Sequence, residues 1–406
     1  MGFGQGLSGL NAASQNLDVI GNNIANSGTV GFKAGGVSFA DVYASSRVGL
    51  GVKVAAINQR FTTGNVATTG GEFDIAIDGS KGFFRMTDPS GSVFYTRNGE
   101  FFMDKSFRIM NAQGMQLTGY PAGAIGAAPV GLSVPQANIA PLATSSAAVQ
   151  TNLDADAEPI DAAVVFDPTV RSTYTDSVPT TVYDSLGNSH TLMQYFIKRE
   201  ANGAGESVYD VYYTLDGDAI QTAGGGDFAT LTFNASGQLL NAPPNVDLAI
   251  LNPGGAASPA EDMAIAMSYD GVTQFGNAFN PKVVPNGYAS GEYLGITIAA
   301  DGSVEAQYSN GESQVVGTIA LANFNNVQGL QPVGDNAWIE TNASGQPTLG
   351  QPGTAGLSQL RGQALEQSNV NLSEELVNMI IAQRTYQANS QTIKTQSEVL
   401  QVLLNI

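Results

Sequence analysis

Residues 7–26 read Leu7-Ser8-Gly9-Leu10-Asn11-Ala12-Ala13-Ser14-Gln15-Asn16-Leu17-Asp18-Val19-Ile20-Gly21-Asn22-Asn23-Ile24-Ala25-Asn26. Leu7, Leu10, Ser14, Leu17, Gly21 and Ile24 recur at alternating steps of three and four, the seam spacing of a coiled coil with small residues at two places. Asp18 is the one ionisable side chain in residues 1–32, and the face opposite the seam is Asn, Gln and Ser. The stretch predicts a helix that is not a salt-bridged solvent helix.

The far end repeats the pattern over a greater length. Leu372, Leu376, Met379, Gln383, Tyr386, Ser390, Ile393, Ser397, Leu400 and Leu404 alternate by four and three, and Val377, Ile380, Val399 and Leu403 widen the stripe. Asn371 or Ser373 supplies an N-cap, and Glu374 and Glu375 in the first turn complement the helix dipole. A helix over 372–404 is about 50 Å long at 1.5 Å per residue. Neither end has a globular core beside it in sequence. One arrangement pairs the two ends and leaves apolar surface for neighbouring subunits; the plainer one packs each helix on its own domain. The first defines an assembly seam of Leu7, Leu10, Leu17, Ile24, Leu372, Leu376, Met379, Ile380, Tyr386, Ile393, Leu400 and Leu404.

Between the ends the chain reads as β. Runs such as Phe73–Ile77, Val93–Thr96 and Phe107–Met110 are separated by turn clusters, among them Asp88-Pro89-Ser90-Gly91, Asn98-Gly99, Asp301-Gly302 and Asn310-Gly311. Residues 121–150 are rich in Ala, Gly and Pro, and Pro281, Pro285 and Gly287 mark a second break. Residues 146–285 carry 17 acidic and 4 basic side chains, a net of −13 out of −19 for the whole chain. The expected fold is therefore mainly β with α-helical termini. It comprises an N-terminal helix and extended linker (1–70), the first part of a discontinuous β domain (71–145), an inserted outer β domain (146–285), the returning part (286–362) and a C-terminal coiled-coil helix (363–406).

Composition narrows the function. Charged residues are 13% of the 406, against a usual ~25%; weak like-charge repulsion suits a self-associating protein. A strongly acidic chain lacks the basic face that nucleic-acid binding needs. With no cysteine there are no disulfides, thiolate metal sites or thiol nucleophiles. The first positive charge is Lys33 and polar residues interrupt every early apolar stretch, so no secretory signal is expected. No run of about 18 apolar residues predicts membrane insertion.

The chemical motifs are weak. Gly4-Gln5-Gly6-Leu7-Ser8-Gly9 has the dinucleotide-loop pattern but no preceding strand, and reads as a flexible lead-in. Asp154-Ala155-Asp156-Ala157-Glu158 opens like a calcium loop, yet Pro159 stands where glycine is needed. His190, the single histidine, reads as a solvent-facing residue of a hairpin turn. Trp338 reads as core. No catalytic residue, cofactor site or metal site is expected.

The two ends also carry a resemblance. The quoted stretch, with Thr29-Val30-Gly31-Phe32-Lys33, closely resembles the amino-terminal signature of the flagellar rod and hook family. Ser368-Asn369-Val370-Asn371-Leu372-Ser373-Glu374-Glu375-Leu376-Val377-Asn378-Met379-Ile380, with Ala382-Gln383-Arg384-Thr385-Tyr386-Gln387-Ala388-Asn389, resembles its carboxy-terminal signature. These ends are shared across the family. The long insert, Val182–Leu192 and Tyr308-Ser309-Asn310-Gly311 resemble hook rather than rod sequence. The resemblance implies a non-enzymatic structural subunit, exported by the flagellar type III apparatus and located outside the cell. It implies a helical homopolymer in concentric layers, assembled under a hook cap onto the rod and joined to the filament by junction proteins. The resulting curved tube passes motor torque as a universal joint. The alternatives are a large distal-rod component, which makes a straight polymer, and an extracellular carbohydrate-active or adhesive β protein.

Overall fold

The structure, a computed structural model, describes residues 3–42, 49–135, 137–240, 245–255 and 258–404, the side chains of Leu403 and Leu404 excepted. Two helices lie at the ends, α1 (Phe3–Ala25) and α2 (Leu372–Leu404), and the rest is strands, turns and two short 3-10 turns. The chain forms two compact units. Unit 1 is Met1–Gln136, Leu294–Gln307 and Ser313–Ile406; unit 2 is Ala137–Tyr293 with Tyr308–Glu312.

The lead-in expected at Gly4–Gly9 is instead the first turns of α1. Glycine is a poor helix former, and tertiary packing overrides it here. A Cβ on Gly6 would stand 3.0 Å from Ile393 Cγ1, and one on Gly9 2.8 Å from Asn389 Oδ1. Three steps along α1 match four steps back along α2, so the helices run antiparallel at this contact. Close approach of two backbones requires such small residues.

Beyond α1 the chain turns through Gly31, whose φ is +68° and whose Cβ position would fall 2.6 Å from the Arg97 carbonyl carbon. Strands β1 (Gly35–Val42) and β2 (Gly51–Gln59) then form an antiparallel hairpin with a register shift at Ser38/Phe39. The hairpin is tied to α1 by polar groups. Asn23 Nδ2 donates to Gly35 O (2.9 Å) while Gly35 N donates to Asn23 Oδ1 (2.8 Å), and Gln5 Nε2 donates to Gly49 O (2.6 Å). No residue of either strand is buried.

The first and last parts of the chain interleave in unit 1. Strand β3 (Val66–Thr68) pairs with Ala364–Glu366, and β4 (Ile75–Asp78) with Gln359–Gly362. The main sheet runs Ser313–Ile319, Gln116–Pro121, β5 (Phe83–Thr87), β6 (Val93–Thr96), Ala337–Ile339, Gln331–Gly334. Its core is aromatic: Trp338 stands edge-on to Phe83 and Phe61, and Tyr95 to Phe324. The Trp338 indole N–H donates to Gln59 Oε1 (2.6 Å), anchoring the end of β2 to this core.

Unit 2 is built on Asp176–Tyr183, Ser189–Arg199 and Ser207–Leu215, three antiparallel strands in unbroken register. Asp218–Thr222, Asn245–Ile250, Met263–Ser268, Ser146–Gln150 and Lys282–Pro285 continue the sheet, and Phe228–Phe233 pairs with Ser207–Leu215. Val182, Leu192, Phe196, Val211, Leu248, Ile265 and Met267 fill the core. Tyr269 Oη donates to Gln194 Oε1 (2.9 Å) and lies 2.7 Å from Tyr213 Oη, so the polar groups inside form a chain. The strands entering and leaving the unit run side by side, bridged at Ile139–Gly291 and Leu142–Tyr288.

Candidate assembly surface

The face that α1 buries is made mostly of small residues. Gly6, Ala12, Ala13, Ile20 and Asn23 are buried. The seam read from sequence lies one position further on: Leu7 is exposed, and Leu10, Leu17 and Ile24 are half-buried. Within one chain α1 therefore turns Gly6, Ala12 and Ala13 inward and leaves its leucines exposed or half-buried.

Helix α2 is more open still. Asn371 Oδ1 accepts from Glu374 N (3.3 Å), so Asn371 is the N-cap. Among its described side chains only Glu375 and Ala382 are buried. Leu372, Leu376, Tyr386, Ile380 (51% exposed) and Leu400 (53%) face outward, while Met379 and Ile393 are half-buried. Ile393 meets α1 at Gly6. The Leu404 side chain lies outside the described residues. Val377, Ile381, Val399 and Val402, each more than half exposed, enlarge the bare apolar surface. Leaving that much apolar area in water is unfavourable by about 25 cal/mol per Å².

The helices are rooted in a buried ionic cluster. Lys33, Arg97 and Glu366 are each at most 1% exposed. Lys33 Nζ lies 2.5 Å from Glu366 Oε1 and donates to Thr62 O (2.8 Å). Arg97 Nη1 lies 3.2 Å from Glu366 Oε2 and donates to Gly79 O (2.8 Å), and Nη2 to Ser80 O (2.6 Å). Gly64 N donates to Glu366 Oε1 (2.9 Å). Arg97 Nε has no acceptor among the described residues. Burial pushes both cations below their ordinary pKa, against the pull of Glu366. Asn369 adds further ties, accepting from Ala34 N (2.8 Å) and donating to Arg60 O (2.6 Å) and Thr62 O (3.2 Å). The exit of α1, the base of the hairpin, the β body and the entry of α2 thus meet at one point. Sequence reading missed Arg97 and Glu366 because 269 residues separate them and no local pattern joins them.

The other motifs find structural places. His190 is buried, not solvent-facing: its Nδ1 lies 2.7 Å from Asp216 Oδ2 and its Nε2 3.5 Å from Asp184 Oδ2. The turn-based reading failed because Asp216, in the left-handed region at φ +52°, reaches across from another turn. Trp338 is core, as expected. A concavity of about 1200 Å³ on unit 2 is lined by Phe166, Tyr212, Asp216 and Leu251, and its Arg199 is already paired with Asp210 at 2.7 Å. Among the described residues no group of three or more His, Asp or Glu side chains could hold a metal ion. No helix among them is long and apolar enough to cross a membrane.

Comparison with known proteins finds four family models along the chain. Residues 5–33 match the flagella basal body rod protein family, and residues 361–406 the flagellar basal body rod FlgEFG protein C-terminal family. Residues 76–156 match the flagellar hook protein FlgE/F/G D1 domain, and residues 152–288 the flagellar basal body protein FlaE D2 domain. The chain is 44% identical over 414 residues to the flagellar hook protein FlgE of Escherichia coli (strain K12), covering 100% of both. It is 31% identical over 447 residues to the flagellar hook protein FlgE of Borreliella burgdorferi, covering 99% of this chain and 98% of that one. The crystal structure of Helicobacter pylori flagellar hook protein FlgE2 superposes with a TM-score of 0.55 at 13% identity, covering 74% of this chain and 100% of that one. That last likeness is one of fold.

Proposed function

The chain belongs to the flagellar hook protein FlgE family and is a structural subunit of the hook; from that premise we propose that it is built into the hook through its two ends. The observation that carries this is the state of α2: 33 helical residues with two buried side chains among those described. Its apolar flank and the leucine face of α1 are completed by sister subunits, and Leu7, Leu10, Leu17, Ile24, Leu372, Leu376, Met379, Ile380, Tyr386, Ile393, Leu400 and Leu404 form the contact. In this reading the helices line the inside of the tube, the β part of unit 1 forms the layer around them, and the acidic unit 2 faces solvent. Few charges at the contacts leave several packings close in energy, so that the tube bends while the helices keep it continuous. Rod, cap and junction proteins and the type III export apparatus are its proposed partners, and torque transmission outside the cell its role.

Removal of residues 1–25 or 372–406 should leave a soluble, β-rich chain that forms no tubes in negative-stain micrographs. Full-length protein should give tubes of uniform curvature. Tubes from either truncated chain would contradict assembly through the ends, and straight tubes from the intact chain would point to a rod component.

A further inference from the structure

The buried cluster at the helix roots holds two cations against one carboxylate. A pair buried purely for stability has no use for the second cation, since each charge taken out of water costs several kcal/mol. Three contacts show which cation is in excess. Glu366 would remain paired with Arg97 and bonded to Gly64 N if Lys33 were neutral, and Thr62 O would keep its bond from Asn369 Nδ2. Lys33 is therefore dispensable for satisfying its neighbours. What it alone supplies is a short, charge-assisted bond between the segment leaving α1 and the segment entering α2, two points 333 residues apart in sequence. The main chain reinforces the same junction, with Gly31 N donating to Glu366 O (2.8 Å) and Gln367 N to Asn65 O (2.8 Å). Buried ionic groups that add little stability are best attested as devices that fix one register among several.

We infer that Lys33 and Glu366 are positioning residues for assembly: their bond fixes the direction in which both terminal helices leave the β body, so that the apolar flanks of successive subunits meet in register. The inference rests on the reading that the helices are the assembling element. Arg97, held by Gly79 O and Ser80 O, anchors the cluster to the β body and belongs to stability.

The test compares full-length Lys33→Met with Glu366→Gln, measuring the unfolding midpoint of the monomer, the critical concentration for polymerisation, and tube curvature. Glu366→Gln strands two buried cations and lowers the midpoint as well as abolishing tubes. Lys33→Met leaves a charge-balanced pair, so its midpoint stays at or above the parent value. Its critical concentration nevertheless rises about tenfold or more, the equivalent of at least ~1.4 kcal/mol per added subunit, and the tubes that do form lose their uniform curvature. Parent-like assembly and curvature in Lys33→Met overturn the inference. So does a midpoint that falls as far as in Glu366→Gln, because the bond is then only a buttress. If the truncated chains above still form tubes, the assembly reading itself fails. If they do not, while Lys33→Met assembles normally, this inference alone fails.

Discussion

Strand Ser189–Arg199 and helix α2 use apolar residues in opposite ways. The strand has 11 residues and buries His190, Leu192, Gln194, Tyr195, Phe196 and Ile197 inside unit 2. The helix has three times the length and buries Glu375 and Ala382. Strand side chains alternate, and a sheet supplies a second layer from the same chain. Helix α2 packs on one long element, α1, which covers a single stripe of its surface. The body of the molecule is thus finished by folding, whereas the ends are left bare and, in the function proposed above, are finished by association.

The sharpest way to break this contrast is to place a charge on α2 where the monomer leaves the side chain exposed. Leu376→Asp should leave monomer circular dichroism and unfolding midpoint unchanged while abolishing tubes, because the carboxylate is buried without a partner only in the polymer. Ile393→Asp should behave differently, loosening the contact with Gly6 already in the monomer. Tubes from Leu376→Asp at the parent concentration would show that this flank stays bare in the hook. The mirror experiment lies in unit 2. Phe196→Ala empties a fully buried site against Phe279 and should cost about 3–5 kcal/mol of unit 2 stability, read as a lowered melting transition, with tube formation retained below that transition.

The smallest effect concerns pH. At Asp184 burial opposes ionisation, but bonds from Asn188, Leu186 and His190 outweigh it, and the carboxyl sits below its ordinary range. Asp216 does likewise through Thr191 N and His190. The unfolded chain binds these protons more readily than the folded one, so their stabilisation is complete above the unfolded value, about 3.9, and is lost as pH falls through the lower folded values. The unfolding midpoint of unit 2 should therefore decline on acidification below about pH 4, and Asp184→Asn should flatten that decline. A midpoint equally steep in acid for the variant would remove Asp184 from the account.

Much of this contrast can be read in the residues. The alternation of threes and fours at both ends announces helices, and Asp-Gly and Asn-Gly pairs announce hairpins such as those closed by Gly302 (φ +83°) and Gly311 (φ +85°). What the pattern could not give is which stripe of α1 turns inward. Large apolar residues are read as buried, yet Gly6 and Gly9 are what let α2 approach, and the leucines stand one position round the cylinder. The Lys33–Glu366–Arg97 cluster and the clasp on His190 escaped for another reason. They are assembled from segments far apart in sequence, and nothing local distinguishes Glu366 from a surface glutamate.

One consequence follows from how the chain passes into and out of unit 2. The two passages zip together at Ile139–Gly291 and Leu142–Tyr288, and Asn286 Oδ1 accepts from both Ser145 N and Ser146 N at 3.0 Å. A module whose ends adjoin can be lengthened, shortened or exchanged without moving the frame that carries it. In the assembly proposed above, foreign sequence grafted between residues 146 and 285 would ride on the fibre at a regular molecular spacing, so the paired passages offer a socket for displaying cargo along a motile cell's appendage.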